Sequence, residues 1–343
     1  MRKILVFITF CLIHWNILAQ WTPQMVATKS NFRAVHTVNT KICWVGGSQG
    51  SFVKTNDGGK SWQVGKVANA DSLDFRDVHA FDGNTAILMS AGEAEKGKAK
   101  IYKTNDGGQT WEIVFETQEK GVFLDGIAFW DRKNGIAFGD PIEGKFYVLT
   151  TKDGGQSWQR IPPERLPSVQ DGEAAFAASG TAIVTAGQAN AWIGTGGSSM
   201  GRVIYTQDRG MTWWVSPTPI KAGKSSGIFG LNFWNKDTGI AVGGDYLQIQ
   251  DNNPNVSITY NGGRSWDILT TTKPSGLKEA VAIYGKNILI AVGNGTAYSK
   301  DFGKTWTQID ETIFHSLSFS GKTGFAVGAK GIICKFDDSI LKE

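Results

Sequence analysis

Net charge, long apolar runs and cysteine are all scarce in this 343-residue chain. Thirty-five basic against thirty-one acidic residues leave a formal charge of only +4. That is no electrostatic footprint for nucleic acid. No apolar stretch is long enough to span a bilayer: residues 4–13 form the leading one, and His14 and Asn16 break its continuation. With Arg2 and Lys3 before it and Ile17-Leu18-Ala19 after it, ahead of Gln20, the stretch is laid out as a secretory leader over residues 1–19. Its removal takes both leading cations and lowers the charge to +2. No cysteine follows the apolar region to carry a lipid, so the mature chain is expected to be secreted or periplasmic, with no membrane span. Cys11 leaves with the leader. The remaining pair, Cys43 and Cys334, stays open between two buried thiols and one bridge, which would have to satisfy strict geometry.

Glycine (43 residues) and tryptophan (13) are plentiful, and their placement is periodic. Thr55-Asn56-Asp57-Gly58-Gly59-Lys60-Ser61-Trp62 recurs at residues 104–111, 151–158, 206–213, 259–266 and 299–306. The shared pattern is Ser/Thr-x-Asp-x-Gly-x-Ser/Thr-Trp, carried by Asp57, Asp106, Asp153, Asp208 and Asp301, with Asn261 in the fifth copy. The tryptophans are Trp62, Trp111, Trp158, Trp213, Trp266 and Trp306, spaced by 49, 47, 55, 53 and 40 residues. Each copy reads as a self-satisfied hairpin corner. The carboxylate accepts backbone N–H bonds, glycine supplies a positive φ, the hydroxyl adds a local bond, and tryptophan buries a large ring. Six such corners spread round a ring, five of them with a carboxylate, cannot converge on one substrate, so they read as structural.

These residues resemble the Asp-box, or bacterial neuraminidase repeat, of sialidase-like β-propellers, where the box joins the third and fourth strands of a blade. The spacing suits four-stranded propeller units of about 40–50 residues. Gly126-Ile-Ala-Phe-Trp130 with Gly135-Ile-Ala-Phe-Gly139, and Gly230-Leu-Asn-Phe-Trp234 with Gly239-Ile-Ala-Val-Gly243, supply first and second strands. After the sixth box come three strands and then Lys335-Phe-Asp-Asp338, which mimics Lys54-Thr-Asn-Asp57 without a tryptophan strand to follow. Trp21-Thr-Pro-Gln-Met-Val26 looks like that missing strand. The expectation is therefore an all-β, single seven-bladed propeller over residues 20–343, with four-stranded antiparallel blades and the N-terminal strand closing the ring.

The boxes share one face, and the irregular lengths fall on the other: residues 90–100, 139–144, 162–172, 187–202 and 243–255. Long loops on one face of a rigid scaffold are where binding is expected. Aligning the start of each innermost strand gives Arg33, Arg76, Asp125, Glu173, Phe229, Glu279 and His315. They read either as a polar funnel for a ligand or partner, which Asp140, Arg202, Asp245 and Tyr246 could join, or as a ring of mutually paired charges. Metals and cofactors find no support. His36, His79 and His315 fall in separate repeats with no Cys pair, and residues 194–201 are glycine-rich without a βαβ setting.

An enzyme reading leads to glycoside hydrolysis. Sialidases carry an Arg-Ile-Pro sequence ahead of the first box; here Arg160-Ile-Pro162 follows the third box, on an outer strand. Xyloglucan-cleaving relatives use two carboxylates across a cleft, for which Asp140 with Glu173 or Asp245 would be the pair. The chain also resembles, over roughly residues 32–338, the photosystem II assembly and stability factor family and its wider bacterial relatives. That resemblance rests on the boxes together with the Gly-Ile-Ala-Phe-Gly and Gly-Ile-Ala-Val-Gly strands, and it implies a non-enzymatic propeller that binds protein subunits, partly through a basic patch. The near-balanced charge and the acids Asp125, Glu173 and Glu279 depart from such a patch. The combined expectation is a non-catalytic scaffold binding a protein partner or a glycan on the long-loop face, with the glycosidase as its alternative.

Overall fold

In the computed structural model, which describes residues 20–269 and 273–342, seven four-stranded antiparallel sheets succeed one another as blades. The innermost strands are Phe32–Thr37, Asp74–Ala80, Leu124–Phe129, Ile183–Ala186, Ser226–Phe233, Lys278–Tyr284 and Ser316–Ser320. Burial falls from inside outward: Cys43–Gly47, second in blade one, is wholly buried, whereas the outer strand Gln63–Lys66 is mostly exposed. The core is therefore a ring of apolar seams between neighbouring blades. The leader expected at residues 1–19 lies outside the described residues. Among the described residues no helix is long and apolar enough to cross a membrane.

The box closes on itself as its residue types require. In the first copy, Ser61 N–H and Oγ–H donate to Asp57 at 2.9 and 2.5 Å, and Thr55 Oγ donates to the same carboxylate at 2.8 Å. Gly59 N–H donates back to Thr55 Oγ at 2.9 Å. The Thr110 hydroxyl and amide hold Asp106 down to a pKa of about 2. The invariant glycine has a second cause beyond its positive φ. The preceding position also lies at positive φ yet admits Arg209 and Phe302. At the invariant position a Cβ would sit 2.9 Å from the Phe325 ring (Gly59), 2.7 Å from Phe52 (Gly108) and 2.4 Å from Ile87 (Gly155), all on the preceding blade. The seam between blades excludes a side chain there.

Two of the seams are also clipped by lysine. Lys54 of blade one donates to Gly107 O in the next blade's box at 2.6 Å, and Lys335 of blade seven donates to Gly58 O at 2.7 Å. The ring closes where Trp21–Pro23 pairs with Ile333–Phe336, Trp21 opposite Phe336 and Pro23 opposite Cys334. Cys43 and Cys334 are buried free thiols, so the open question resolves against the bridge. The long loop expected over residues 187–202 is shorter, because Asn190–Gly194 is a strand and only residues 195–201 connect it to Arg202–Thr206.

Candidate functional site

The residues aligned at the strand starts share a structural cause. Arg33, Arg76, Asp125, Phe229 and Glu279 each fall at a register shift in the first hairpin of their blade, between Phe32 and Ala34, Phe75 and Asp77, Leu124 and Gly126, Ile228 and Gly230, and Lys278 and Ala280. A bulge adds one unpaired residue and re-aims its side chain, here toward the ring axis. His315 stands immediately before the innermost strand of blade seven, its amide donating to Val327 O at 2.8 Å.

Blade four departs from this pattern, and Glu173 is not the equivalent residue. Its innermost strand begins only at Ile183, and residues 174–181 instead cross the axis. Ala175 N–H donates to Asp140 Oδ1 at 3.0 Å, while Ala177 O and Ala178 O accept from Arg76 and Arg33 at 3.4 and 3.3 Å. Ser179 Oγ donates to Glu279 O, and Ser179 O accepts from Ser316 Oγ at 2.6 Å. One segment thus touches blades one, two, three, six and seven, and it divides the axial channel into two cavities.

The cavity on the long-loop side measures about 580 Å³, and its lining includes Arg33, Arg76, Asp125, Asp140, Tyr246, Glu279 and His315. Glu173 and Arg202 are not part of that lining. They form a buried ion pair: Arg202 Nε donates to Glu173 Oε1 at 3.0 Å, and Nη2 to Oε2. Thr195 Oγ and Gln170 N–H complete the carboxylate's bonds at 2.7 and 2.8 Å. Asp245 lines a small separate depression with Lys221 and Asp251. The carboxylates expected to pair across a cleft therefore do not meet: Glu173 is engaged by arginine, and Asp140 and Asp245 line different depressions.

Within the cavity some charges are paired and some are not. Arg33 reaches Glu279 at 3.3 Å, His315 Nδ1 lies 3.0 Å from the same carboxylate, and Arg76 Nε donates to Asp74 at 2.9 Å. Asp125, only 1% exposed, has no well-formed hydrogen bond to either oxygen, although the amides of Ala177 and Asp140 face it. Burial raises its pKa well above the usual carboxylate range. The charge of Asp140 adds to the rise, and Arg76 opposes it. Burial raises Asp140 as well, against the Ala175 amide. Part of the lining is aromatic: Phe176 stacks on Phe229 at 4.2 Å, and Tyr246 meets both edge-on. Tyr246, Leu247, Ile249 and Ile313 leave exposed apolar surface in the neighbouring loops. Phe176 and Asp74 escaped the sequence reading. The run Ala174-Ala-Phe-Ala-Ala178, small enough for close passage, was the available signal.

The cavity on the box side, about 750 Å³, is lined by His36, Asp77 and His79 among others. His36 and His79 pack at 4.5 Å across the seam, and His36 Nδ1 accepts Ala80 N–H at 2.8 Å, which requires an unprotonated nitrogen. Burial lowers the pKa of His36 to about 4; burial and then the charge of His36 hold that of His79 well below its ordinary value. Between pH 6.5 and 4 the unfolded histidine binds a proton that the folded one refuses, so stability falls as pH falls. His36 alone should cost about 2 kcal/mol between pH 7 and pH 5. The raised acids Asp77, Asp125 and Asp140 act in the opposite sense. The measurement is therefore a difference: denaturant unfolding at both pH values should show a shallower loss on acidification in His36→Gln, which keeps an acceptor for Ala80, than in wild type. Among the described residues no group of three or more His, Cys, Asp or Glu gathers as a metal site.

The BNR/Asp-box repeat family matches residues 297–308, which contain the whole of the sixth box. No curated protein matches the chain by sequence. Solved structures share the fold. YCF48 bound to D1 peptide is 18% identical, with a TM-score of 0.63 and 92% of this chain and 96% of that one covered. YCF48 from Cyanidioschyzon merolae is 16% identical, with a TM-score of 0.66 and coverage of 93% and 99%. U3-55K is 12% identical, with a TM-score of 0.63 and coverage of 92% and 98%. At these identities what is shared is the seven-bladed β-propeller, here with Asp-box corners.

Proposed function

We propose that the chain is a secreted or periplasmic, non-catalytic scaffold that binds a segment of a protein partner in the cavity on the long-loop face. The observation that carries this is the cavity's construction. A floor pinned by five blades closes about 580 Å³ of space, and exposed Leu247 and Ile249 stand in the loop that follows lining residue Tyr246. Exposed apolar groups around a preformed, mixed polar and aromatic pocket suit a protein interface. A propeller of similar fold is known with a bound peptide, YCF48 with the D1 peptide, which supports a peptide segment as the occupant. The carboxylate placements above remove the motive for a glycosidase, since none of the sequence-expected pairs shares an open cleft.

The test is site-specific photocrosslinking in the protein's own host, with the crosslinker at Leu247 and, as control, at Met211 in the fourth box. A discrete protein adduct is expected from Leu247 only, and it should weaken in Arg76→Ala. Equal labelling from both positions would refute the assignment of the face, and binding on a glycan array without any protein adduct would replace the partner by a carbohydrate. Amino-terminal sequencing of the exported protein should begin at Gln20.

A further inference from the structure

The charges round this cavity do not balance at its depth. Arg33 and His315 share Glu279, and Arg76 is held by Asp74, so both arginines already have anionic partners, and they fasten residues 177 and 178 besides. Lys224 stands exposed at the margin. Asp125 and Asp140, from the first two strands of blade three, lack a salt bridge with any described residue. Asp140 accepts the Ala175 amide, and Asp125 is a buried carboxyl aimed into the cavity with neither oxygen bonded in good geometry. A buried polar group left in this condition is costly, and a ligand that satisfies it is correspondingly favoured. Phe176, Phe229 and Tyr246 line the same cavity, and aromatic ring faces carry negative potential.

We propose that the cavity receives a cationic side-chain head of the partner, a lysine ammonium or an arginine guanidinium, at the Asp125–Asp140 pair, in the space that Phe176, Phe229 and Tyr246 also line. The inference rests on the reading of the face as a partner site and adds what the partner must present. Away from Lys224 at the margin, a carboxylate guest would have to displace Glu279 or Asp74 from its arginine, whereas a cation completes bonds that the protein leaves open at depth. The groups facing the acids are Arg76 and, further round the cavity, Arg33, Glu279, His315 and Lys224. Burial raises the pKa of both carboxyls, and the charge of Asp140 raises that of Asp125 further, whereas an arriving cation favours the ionised forms, so binding should drive protons from the pair to solvent.

The probe is a positional-scanning library of end-blocked hexapeptides captured by the whole chain. In wild type, Lys or Arg should be enriched about tenfold over Gln at one position, the discrimination expected of one charge-assisted contact. In Asp125→Asn that enrichment should vanish while preferences at other positions persist. Peptide capture with no basic preference, or with an acidic one, would overturn the cation pocket and leave the partner reading standing. Capture of no peptide would overturn the partner reading and the pocket with it. Should Asp125→Asn fail to fold, calorimetry of the wild type with the most enriched basic peptide, in phosphate and in Tris, decides the matter. Proton release on binding supports the proposal, and its absence or proton uptake refutes it.

Discussion

Trp21→Ala should destabilise the protein by about 3–5 kcal/mol, the range for removing a buried tryptophan. The ring is 3% exposed, lies 5.1 Å from both Phe314 and Phe336, and donates from Nε1 to Thr296 Oγ at 3.0 Å. Truncation opens a cavity at the junction of blades six and seven and removes a donor from a buried hydroxyl. The same side chain anchors the strand that closes the ring, so the loss should be spatially graded. Hydrogen exchange should accelerate first in Ile333–Phe336 and in the neighbouring blades, with Leu124–Phe129 across the ring protected longest. Chemical denaturation measures the total and exchange the gradient. A loss below about 1 kcal/mol, outside the cavity-creating range, would show that the closure contributes little.

What the sequence reveals of this architecture follows the range of the interactions. A box is legible because its bonds join Thr55, Asp57, Gly59 and Ser61 within one short stretch. The closing strand is legible by the same local grammar, because residues 335–338 prepare a tryptophan strand that only residues 21–26 can supply. The bulge residues were found by register, since repeated blades place equivalent residues at equivalent depth. Blade four breaks the equivalence. The contacts that draw residues 174–181 across the axis, Ala177 to Arg76 and Ser179 to Glu279, span about a hundred residues and leave no local pattern. Glu173 was therefore placed by a register that its blade does not follow. Asp125 follows the shared register and lines the cavity, but its lack of a good partner is a property of the assembled cavity and cannot be read from any one segment.

The second large effect should come from the pair that holds this crossing segment. Glu173→Ala is expected to cost about 3–5 kcal/mol, because it leaves Arg202 buried without its counter-charge. The Glu173 side chain is wholly buried, that of Arg202 is 11% exposed, and the guanidinium also donates to Ser168 O at 3.0 Å. The pair thereby ties residues 168–173 to the third strand of blade four, just ahead of the residues that form the cavity floor. Replacing both partners by apolar residues of similar volume, Glu173→Leu with Arg202→Met, removes the uncompensated charge and should recover most of the stability. It should not recover the floor. Without the fork between Ser168 and Glu173, amides 174–178 should exchange faster in the double variant than in wild type although global unfolding is nearly restored, and peptide capture should weaken with them. Recovery of stability together with unchanged exchange at 174–178 would mean that the hydrogen bonds to Arg33, Arg76 and Asp140 position the segment by themselves, and the ion pair would then be only a filler of blade four.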